Sequence, residues 1–570
     1  MKEIRNTYLS KYMEHNRFNF FMGIFLAVLK AFMNIFFAFL MEIIMNFALS
    51  KDFSKLTDMI LLCLVNLLLY GAILLGKMYY QNRFYRNALV SYRKNTYHKI
   101  TNKDILTFQK KRTGNYMSIL SNDVNSIEIN YLESLFELPE NLVLLCGSMI
   151  AMIVSNPLFF GCVLVSSVLP LLSTLLFNKK IKLQEQIISS KNEYFLAGLK
   201  DIFSGFSIIK SFKVEDETEK LYNKYNYELE NAKFKKRNMM AVVSVFSECA
   251  GLIVFIVVFL VGAILVIKHL ITVGLLAAYV QLVNYIVDPI GKLPLTINKM
   301  KAAKGLMEKT NDILSDDLQK DGTMELQKFD NQIEFQDVNF SYESNEVLHN
   351  INVKIEKGKS YAVVGVSGSG KTTFLNLLMG YYKNYKGSIT FDQLELSDIK
   401  TSSLFEFISV IQQDVFVFDD DIISNITMHK SFDKEKIEMA IHNSGLSKLI
   451  QEKGRDYQCG ENGSHLSGGE KQRISIARCL LRESPILLLD EAMSALDNET
   501  AHMTETAILE LNGLTRVVVT HKLDGEMLKQ YDQIIMFNNG KIVEQGSFKQ
   551  LMNNQQLFYS LYNVSNMNDK

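Results

Sequence analysis

The sequence predicts a multidomain membrane protein, in which an all-α six-helix transmembrane domain is followed by an α/β P-loop domain. Three observations support this fold class. At 570 residues the chain has room for two or more domains. Residues 1–300 carry long runs of Leu, Ile, Val and Phe, whereas the remainder has the composition of an ordinary soluble protein. A glycine-rich phosphate-loop pattern follows an apolar strand in that second part.

The amino-acid composition of the chain argues against some classes of function. The chain has 61 basic and 61 acidic residues, so its formal net charge is zero, whereas a nucleic-acid-binding protein usually has a basic excess. The six cysteines form no CxxC pair and have no histidine at metal-ligand spacing. We interpret them as small apolar side chains rather than metal ligands or disulfide partners. The N-terminal apolar run is too long for a cleavable signal peptide.

Six segments are long and apolar enough to form transmembrane helices, each of which needs about 20 residues. They lie near 19–47, 56–79, 138–155, 158–178, 241–267 and 272–295. Only Ser155, Asn156 and Pro157 separate the third span from the fourth, which predicts a tight turn. Lys and Arg concentrate in the N-terminal segment and in the two long connections. The positive-inside rule therefore predicts a multi-pass protein of the cell membrane, with both termini and the second domain in the cytoplasm.

The two long connections between spans, 80–137 and 179–240, are highly charged, which predicts helices that continue out of the membrane into water. They are either helical hairpins with no special task or contacts for the second domain, and composition leaves both interpretations open. A polar stretch, 308–331, is predicted to be a linker. The expected domains are therefore 1–307 and 332–570.

After this linker the chain carries a phosphate-binding pattern. An apolar strand, 360–364, leads into Gly365-Val366-Ser367-Gly368-Ser369-Gly370-Lys371-Thr372, which is G-x-x-x-x-G-K-T. Its glycines let backbone N–H groups turn toward phosphates, and the next helix adds its positive N-terminal end. Lys371 is expected to reach the β- and γ-phosphates of ATP, and the Thr372 hydroxyl to hold Mg²⁺. The predicted ATP-binding residues of this segment are Gly365, Ser367, Gly368, Ser369, Gly370, Lys371, Thr372 and Thr373.

A second apolar strand, 486–489, ends in two carboxylates, Asp490 and Glu491. In P-loop ATPases an Asp at this strand end holds the Mg²⁺ ion. An adjacent Glu is suited to orienting or deprotonating the attacking water. Taken alone, the segment could be a strand that ends in a charged turn. Together with the phosphate loop it predicts an ATP hydrolase, with Asp490 as a metal ligand and Glu491 as the catalytic base.

The octapeptide Leu466-Ser467-Gly468-Gly469-Glu470-Lys471-Gln472-Arg473 resembles the signature motif of the ABC transporter family. Its Ser467 lies 96 positions after Lys371 and 23 before Asp490. On this resemblance the chain is identified as an exporter-type half-transporter, in which a six-span membrane domain is fused to a nucleotide-binding domain.

The resemblance implies roles for four further residues. Tyr342 matches the aromatic residue that stacks on adenine, and Gln413 matches the glutamine that senses Mg²⁺ and the γ-phosphate. Asp497 ends a segment that resembles the D-loop. His521 follows an apolar strand and matches the switch histidine.

Weaker matches concern the contact between the two domains. Residues 108–123 and 205–217 resemble the two coupling segments of the membrane domain. The stretch 460–463 resembles the loop before the signature that touches this domain, although Asn462 stands where the family usually has Arg. Met493 also departs from the family pattern, which commonly has Thr or Pro there.

The resemblance implies that each ATP lies between the phosphate loop of one ATPase domain and Ser467, Gly468 and Gly469 of another. Two chains must therefore pair, and the intact motifs predict a homodimer. ATP-driven closure would switch a membrane cavity from inward- to outward-facing and export an amphipathic drug, lipid or peptide. The alternative is an importer or a regulator built on the same fold. The six spans exclude a soluble ABC ATPase.

Charged side chains within spans usually face a polar interior. Glu248 and Asp288 fall on spans five and six, and Glu42 falls near the outer mouth of span one. These three are candidate cavity residues that would favour cationic or amphipathic cargo. In the alternative interpretation Asp288 pairs with Lys292 one helical turn away, and Glu248 lies where its helix already enters water.

Overall fold

The computed structural model describes residues 16–567, apart from 51–52, 112, 316–320, 343–344, 493–497, 510 and 512. Cα packing divides the chain into two units. The first comprises Met1–Asn102 and Lys111–Asp316, and the second comprises Lys103–Lys110 and Asp317–Lys570. We call them the membrane unit and the ATPase unit below.

Long helices build the membrane unit. In chain order the helices up to Ser315 are α1 (Arg17–Ser50), α2 (Leu56–Thr101), α3 (Ile105–Gln109), α4 (Thr113–Leu120), α5 (Asn122–Ile127), α6 (Glu133–Ser155), α7 (Pro157–Ser204), α8 (Phe206–Phe212), α9 (Glu215–Ile267) and α10 (Val273–Ser315). The short α3 belongs to the ATPase unit. A 3₁₀ turn, Phe53–Lys55, precedes α2, and a π-helical turn, Glu128–Leu132, precedes α6.

Five helical stretches of the described chain are long and apolar enough to cross a membrane. They are Arg17–Ser50, Phe53–Thr101, Thr113–Ser155, Glu215–Ile267 and Val273–Ser315, and they contain five of the six predicted spans. The remaining prediction, 158–178, lies on α7, of which Pro157–Val168 is a shorter apolar segment. The outward face of α2 carries Leu67, Leu68 and Leu75, each 66–73% exposed. Such a face is stable where lipid covers it.

The predicted turn between the third and fourth spans is present and is held from two sides. Pro157 is the first residue of α7, where its missing N–H costs nothing, and the Asn156 side chain accepts a hydrogen bond from the N–H of Phe159 at 3.1 Å. From α10, the hydroxyl of Tyr279 donates to the carbonyl of Met152 at 2.8 Å. The rings of Tyr279 and Phe159 stack at 4.3 Å.

Helices extend past the predicted spans. Helices α2, α7 and α9 run on into the connections 80–137 and 179–240, as the sequence predicts.

The predicted linker, 308–331, differs from its expected form. Helix α10 continues to Ser315, with Thr310 and Leu314 buried, because apolar or small residues recur at helical spacing within the polar stretch.

The ATPase unit is an α/β domain with two sheets. Its strands are β1 (Gln332–Tyr342), β2 (Asn345–Glu356), β3 (Ser360–Gly365), β4 (Lys386–Phe391), β5 (Leu394–Glu395), β6 (Ile408–Ile411), β7 (Ile486–Asp490), β8 (Thr515–Val519), β9 (Gln533–Asn538) and β10 (Lys541–Gly546). Its helices from Lys371 on are α11 (Lys371–Leu378), α12 (Thr401–Phe407), α13 (Ile422–Thr427), α14 (Lys434–Asn443), α15 (Ser447–Lys453), α16 (Gly468–Arg482), α17 (Asn498–Leu509), α18 (Gly525–Leu528), α19 (Phe548–Asn554) and α20 (Leu557–Met567).

The order of the strands determines where the chemistry lies. One sheet has the order β2-β1-β4-β5 and is antiparallel. The other has the order β10-β9-β3-β8-β7-β6, and all its pairs except β10 with β9 are parallel. Strands β3 and β8 are buried along their whole length, as continuous apolar runs in parallel sheets usually are. The carboxyl ends of β3, β7 and β8 therefore meet at one edge, where ligands of open α/β sheets bind.

Candidate active site

The phosphate loop connects the end of β3 to the start of α11. Two of its glycines have backbone angles that favour glycine, with φ at +76° for Gly368 and +103° for Gly370. A Cβ on Gly370 would also lie 2.7 Å from the Leu348 side chain. The predicted strand–loop–helix context is therefore present, with exposed Ser367 and Gly368 at the tip and buried Ser369 behind them.

Lys371, the first residue of α11, folds back over this loop. Its ammonium donates to the carbonyl oxygens of Gly365 at 2.9 Å and Val366 at 3.0 Å. The residue is 5% exposed, and this burial lowers the pKa of the ammonium, while Glu491 and Asp490 partly offset the effect. Both acceptors are neutral, so phosphate oxygens would offer this ammonium stronger, charge-assisted hydrogen bonds.

Asp490 and Glu491 stand at the carboxyl end of β7, as predicted. Burial, followed by the charge of Glu491, raises the pKa of Asp490, and a hydrogen bond from Thr372 partly opposes this rise. Glu491 has φ of +51°, a left-handed conformation that costs a non-glycine residue about 1–2 kcal/mol. Its N–H donates to the carbonyl of Val519 on β8 at 3.1 Å. Left-handed non-glycine residues of this kind are typical of functional sites.

Gln413 and His521 bracket the carboxylate of Glu491. Nε2 of Gln413, shortly after β6, donates to Oε2 at 3.1 Å. Nε2 of His521, just after β8, lies 2.7 Å from Oε1. Three predicted catalytic side chains from three strand ends thus meet at one point. The Glu491 side chain remains 22% exposed, so water can reach it.

Tyr342, at the end of β1, lies beside the phosphate-loop helix. Its hydroxyl is 3.3 Å from the Thr373 hydroxyl, and its ring is 36% exposed. The ring of Tyr382 meets it edge to face at 5.2 Å. Burial, followed by the neighbouring Tyr342, raises the pKa of Tyr382 to about 12. Sequence reasoning missed Tyr382, although the aromatic pair that follows the phosphate-loop helix was a usable signal.

The signature segment forms the start of α16. Ser467 caps this helix: its hydroxyl accepts from the N–H of Glu470 at 3.3 Å, and the Glu470 carboxylate accepts from the N–H of Ser467 at 2.6 Å. Burial alone would raise the pKa of Glu470, but its hydrogen bonds with Ser467 and Lys453 lower it. Gly468 is exposed and Gly469 is half-buried, so the helix N-terminus is open to an anion. The predicted D-loop residue, Asp497, lies outside the described residues.

The structure shows side-chain contacts for two of the three candidate cavity residues. Asp288 accepts from the ammonium of Lys292 at 2.7 Å, which is the pair that the alternative interpretation expects. Glu248 is exposed and accepts from the Ser244 hydroxyl at 3.3 Å. Glu42 is half-buried on α1. Their assignment to a cavity stays a prediction.

One charged cluster in the membrane unit escaped sequence reasoning. Glu140 on α6 accepts from the ammonium of Lys30 on α1 at 2.7 Å and from that of Lys77 on α2. Their side chains are only 14–21% exposed. We call these three residues the lysine–glutamate triad.

A P-loop ATPase joined to a multi-pass helical unit defines the class of ATP-driven membrane transporters. Comparison with known proteins agrees with this class. The family model of the ABC transporter transmembrane region matches residues 20–290, and that of the ABC transporter matches residues 348–494. The chain belongs to the ABC transporter family, as an ATP-hydrolysing translocase with both domains in one polypeptide.

Three similar proteins illustrate the relationship. An ATP-dependent lipid A-core flippase of Syntrophus aciditrophicus (strain SB) is 29% identical, over 84% of this chain and 80% of the relative. An uncharacterized ABC transporter ATP-binding protein of Bacillus subtilis (strain 168) is 31% identical, over 84% of each. The solved structure of a bacterial Atm1-family ABC exporter with ATP bound is 20% identical and has a TM-score of 0.79, over 97% of this chain and 98% of that one. That structure shares the fold.

Proposed function

We propose that this chain drives the export of an amphipathic substrate across the cell membrane by alternating access, powered by ATP binding and hydrolysis at a dimer of ATPase domains. The observation that carries the proposal is the placement of Glu491 between Gln413 and His521, at the sheet edge that also holds Lys371. The flippase name of one relative supports a lipid-like cargo. A drug or a peptide would use the same amphipathic chemistry.

The described residues suit the roles that the sequence suggests for ATP. Tyr342 presents a partly exposed ring for the adenine, and the phosphate loop presents backbone N–H groups for the phosphates. Lys371 would exchange its two carbonyl acceptors for phosphate oxygens, a change from neutral to charge-assisted hydrogen bonds.

A Mg²⁺ ion fits the donors at the same edge. Asp490, Thr372 and Gln413 offer a carboxylate, a hydroxyl and an amide oxygen, which are the oxygen ligands that Mg²⁺ prefers. Burial, followed by the charge of Glu491, raises the pKa of Asp490, and a bound cation would favour its charged form. Bound Mg²⁺ would neutralise charge that develops on the transferred phosphate.

Glu491 is the candidate general base. Its carboxylate would take a proton from the attacking water, while the contacts from Gln413 and His521 hold it in place. His521 is half-exposed and Gln413 is exposed, so both can move toward a bound γ-phosphate. Each therefore links the state of the nucleotide to the position of the base.

A second copy of the chain would complete each site. Ser467 bonds to Glu470 of its own helix, and the open N-terminus of α16 is available to the γ-phosphate on a partner. The phosphate loop, the candidate base, the signature and the switch histidine are all intact in the sequence, which favours two identical chains. We further propose that both termini and the ATPase unit are cytoplasmic, since the basic residues flank the spans on that side.

The two connections between spans would couple hydrolysis to transport. Residues 103–110, which include α3, group with the ATPase unit rather than with the membrane unit. The resemblance of residues 108–123 and 205–217 to the coupling segments of the family supports this coupling role.

Purified chain reconstituted in vesicles tests the proposal. ATP added to the side that carries the ATPase units should remove a fluorescent amphiphile from that side, and Lys371→Ala should abolish both ATP binding and this movement. A Lys359→Ala variant is the control, because Lys359 lies in the same unit on an exposed pair with Asp532. ATP-dependent movement toward the ATPase side would indicate an importer and overturn the export proposal. A chain that neither binds nor hydrolyses ATP would overturn the proposal as a whole.

A further inference from the structure

The lysine–glutamate triad lies within the spans. Lys30, Lys77 and Glu140 fall inside the first, second and third predicted spans, on three different helices. One oxygen of Glu140 accepts from each lysine, Oε1 from Lys30 and Oε2 from Lys77. Lys77 and Glu140 lie close to the ends of their spans, so the triad begins near the membrane surface and reaches inward through Lys30. Charged side chains within spans are costly and mark binding or transport pathways.

The charges of the triad do not cancel. Two ammonium groups share one carboxylate, so the cluster keeps a net charge of one positive unit. An ammonium group has three donors, and the hydrogen bonds described for Lys30 and Lys77 to acceptors both go to Glu140. Donors therefore remain for a further anionic acceptor. An excess charge on partly buried side chains attracts such an acceptor more strongly than the same charge in open water does.

A second cluster with the same formal charge lies in different surroundings. Glu230 also has two basic partners, Lys233 at 2.6 Å and Arg237 at 3.8 Å. Those side chains are 36–73% exposed and lie before the fifth predicted span, where water and salt compensate the charge. The side chains of the triad, which are 14–21% exposed, have less access to such compensation.

We propose that Lys30 and Lys77 form a binding site for the anionic group, a phosphate or a carboxylate, of an amphipathic ligand, and that Glu140 is an internal counter-ion which this group displaces. The inference rests on the proposed export function and names the class of its cargo. The apolar spans around the triad accept the tail of the ligand, and the two ammonium groups accept its head. This site selects anionic cargo, in contrast to the cationic preference that Glu248 and Asp288 alone would suggest.

Binding to the intact chain in phosphatidylcholine nanodiscs tests the proposal without relying on hydrolysis. The probes are dodecyl phosphate, dodecyl maltoside and inorganic phosphate, and the readout is the dissociation constant from the shift in thermal unfolding. Glu140→Gln should lower the dissociation constant of dodecyl phosphate about tenfold, because it frees both ammonium groups. Lys30→Met and Lys77→Met should each raise it about tenfold. The dissociation constant of dodecyl maltoside should change by less than about twofold in all three variants.

Two controls keep the result interpretable if a variant folds poorly. Lys77→Arg retains the charge and should bind dodecyl phosphate like the unaltered chain. Glu230→Gln removes a carboxylate from the exposed cluster and should change nothing. Equal changes in the dissociation constants of dodecyl phosphate and dodecyl maltoside would show that the triad only joins three helices. This result would overturn the proposed anion site. If inorganic phosphate binds as tightly as dodecyl phosphate, the ligand needs no apolar tail, and the proposal of an amphipathic ligand is overturned.

The same samples separate this inference from the proposed function. If the unaltered chain hydrolyses ATP and moves a neutral amphiphile but shows no preference for dodecyl phosphate, the inference alone fails. If it selects dodecyl phosphate but never hydrolyses ATP, the export proposal fails and the anion site stands.

Discussion

Glu491 in the ATPase unit and Glu140 in the membrane unit each lie between two nitrogen donors, yet their surroundings differ. An amide and an imidazole contact Glu491, whose side chain is 22% exposed at the edge of a sheet. Two ammonium groups contact Glu140, whose side chain is 14% exposed among three long helices. The Glu491 carboxylate is open to water, whereas the Glu140 carboxylate balances the charge of two lysines. The same side chain is thus proposed as a general base in one unit and as a counter-ion in the other.

The largest expected effect concerns catalysis. Glu491→Gln should lower the rate of ATP hydrolysis about 10²–10⁴-fold and leave ATP binding intact, because an amide cannot accept the proton of the attacking water. Phosphate release and nucleotide binding measure the two properties separately. Glu483→Gln is the matched control, since Glu483 pairs with Lys436 on the exposed surface of the same unit. Near-normal hydrolysis by Glu491→Gln would show that Glu491 is not the general base.

The next effect concerns the stability of the membrane unit. Glu140→Gln should destabilise the chain by about 3–5 kcal/mol, because it leaves two ammonium groups uncompensated. Lys30→Met should cost much less, because it leaves a single balanced pair. Thermal unfolding in nanodiscs without an added amphiphile measures both. If Glu140→Gln unfolds at no lower a temperature than Glu230→Gln, the triad contributes no more stability than an exposed cluster. Glu140 would then not act as a counter-ion that the fold requires.

A smaller effect is expected at the adenine. Tyr342→Ala should weaken ATP binding by about 1–3 kcal/mol, the value of stacking a base on an aromatic ring. Tyr342→Phe should bind almost normally, because the ring is retained and only the contact with Thr373 is lost. Titration with a fluorescent ATP analogue compares the two. Equal losses of ATP affinity in both variants would show that the hydroxyl of Tyr342, and not its ring, supports ATP binding.

The smallest effect distinguishes a helix cap from a nucleotide contact. Ser467→Ala should cost about 1 kcal/mol of stability through the lost cap and should also slow ATP hydrolysis by the dimer. Ser547 caps α19 with the same reciprocal bonds, to Gln550. Ser547→Ala should therefore cost similar stability and leave hydrolysis unchanged. Identical hydrolysis by the two variants would reduce Ser467 to a structural cap.

The sequence predicted where the side chains around Glu491 lie, although their roles stay predictions. The residues around Glu491 follow one another in short patterns, each placed at a strand end, and the parallel sheet brings those ends together. The helical character of the membrane unit was also predictable, because length and hydropathy suffice for it.

The lysine–glutamate triad could not be found in this way. Glu140 lies 110 positions from Lys30 and 63 from Lys77, and no local pattern connects them. Their meeting depends on how three helices rotate about their axes, which helical hydropathy does not determine when every face is apolar. The end of α10 was missed for a related reason, since a polar stretch that carries apolar residues only at helical spacing resembles a linker.

The turn at Ser155, Asn156 and Pro157 has a consequence for engineering the chain. Exposed loop tips usually tolerate inserted tags or labels, but here an insertion would separate the Asn156 side chain from the N–H of Phe159. It would also pull the carbonyl groups of Met152 and Asn156 away from the hydroxyl of Tyr279. A reporter placed at this three-residue connection would therefore perturb the last span as well as the two spans that it joins.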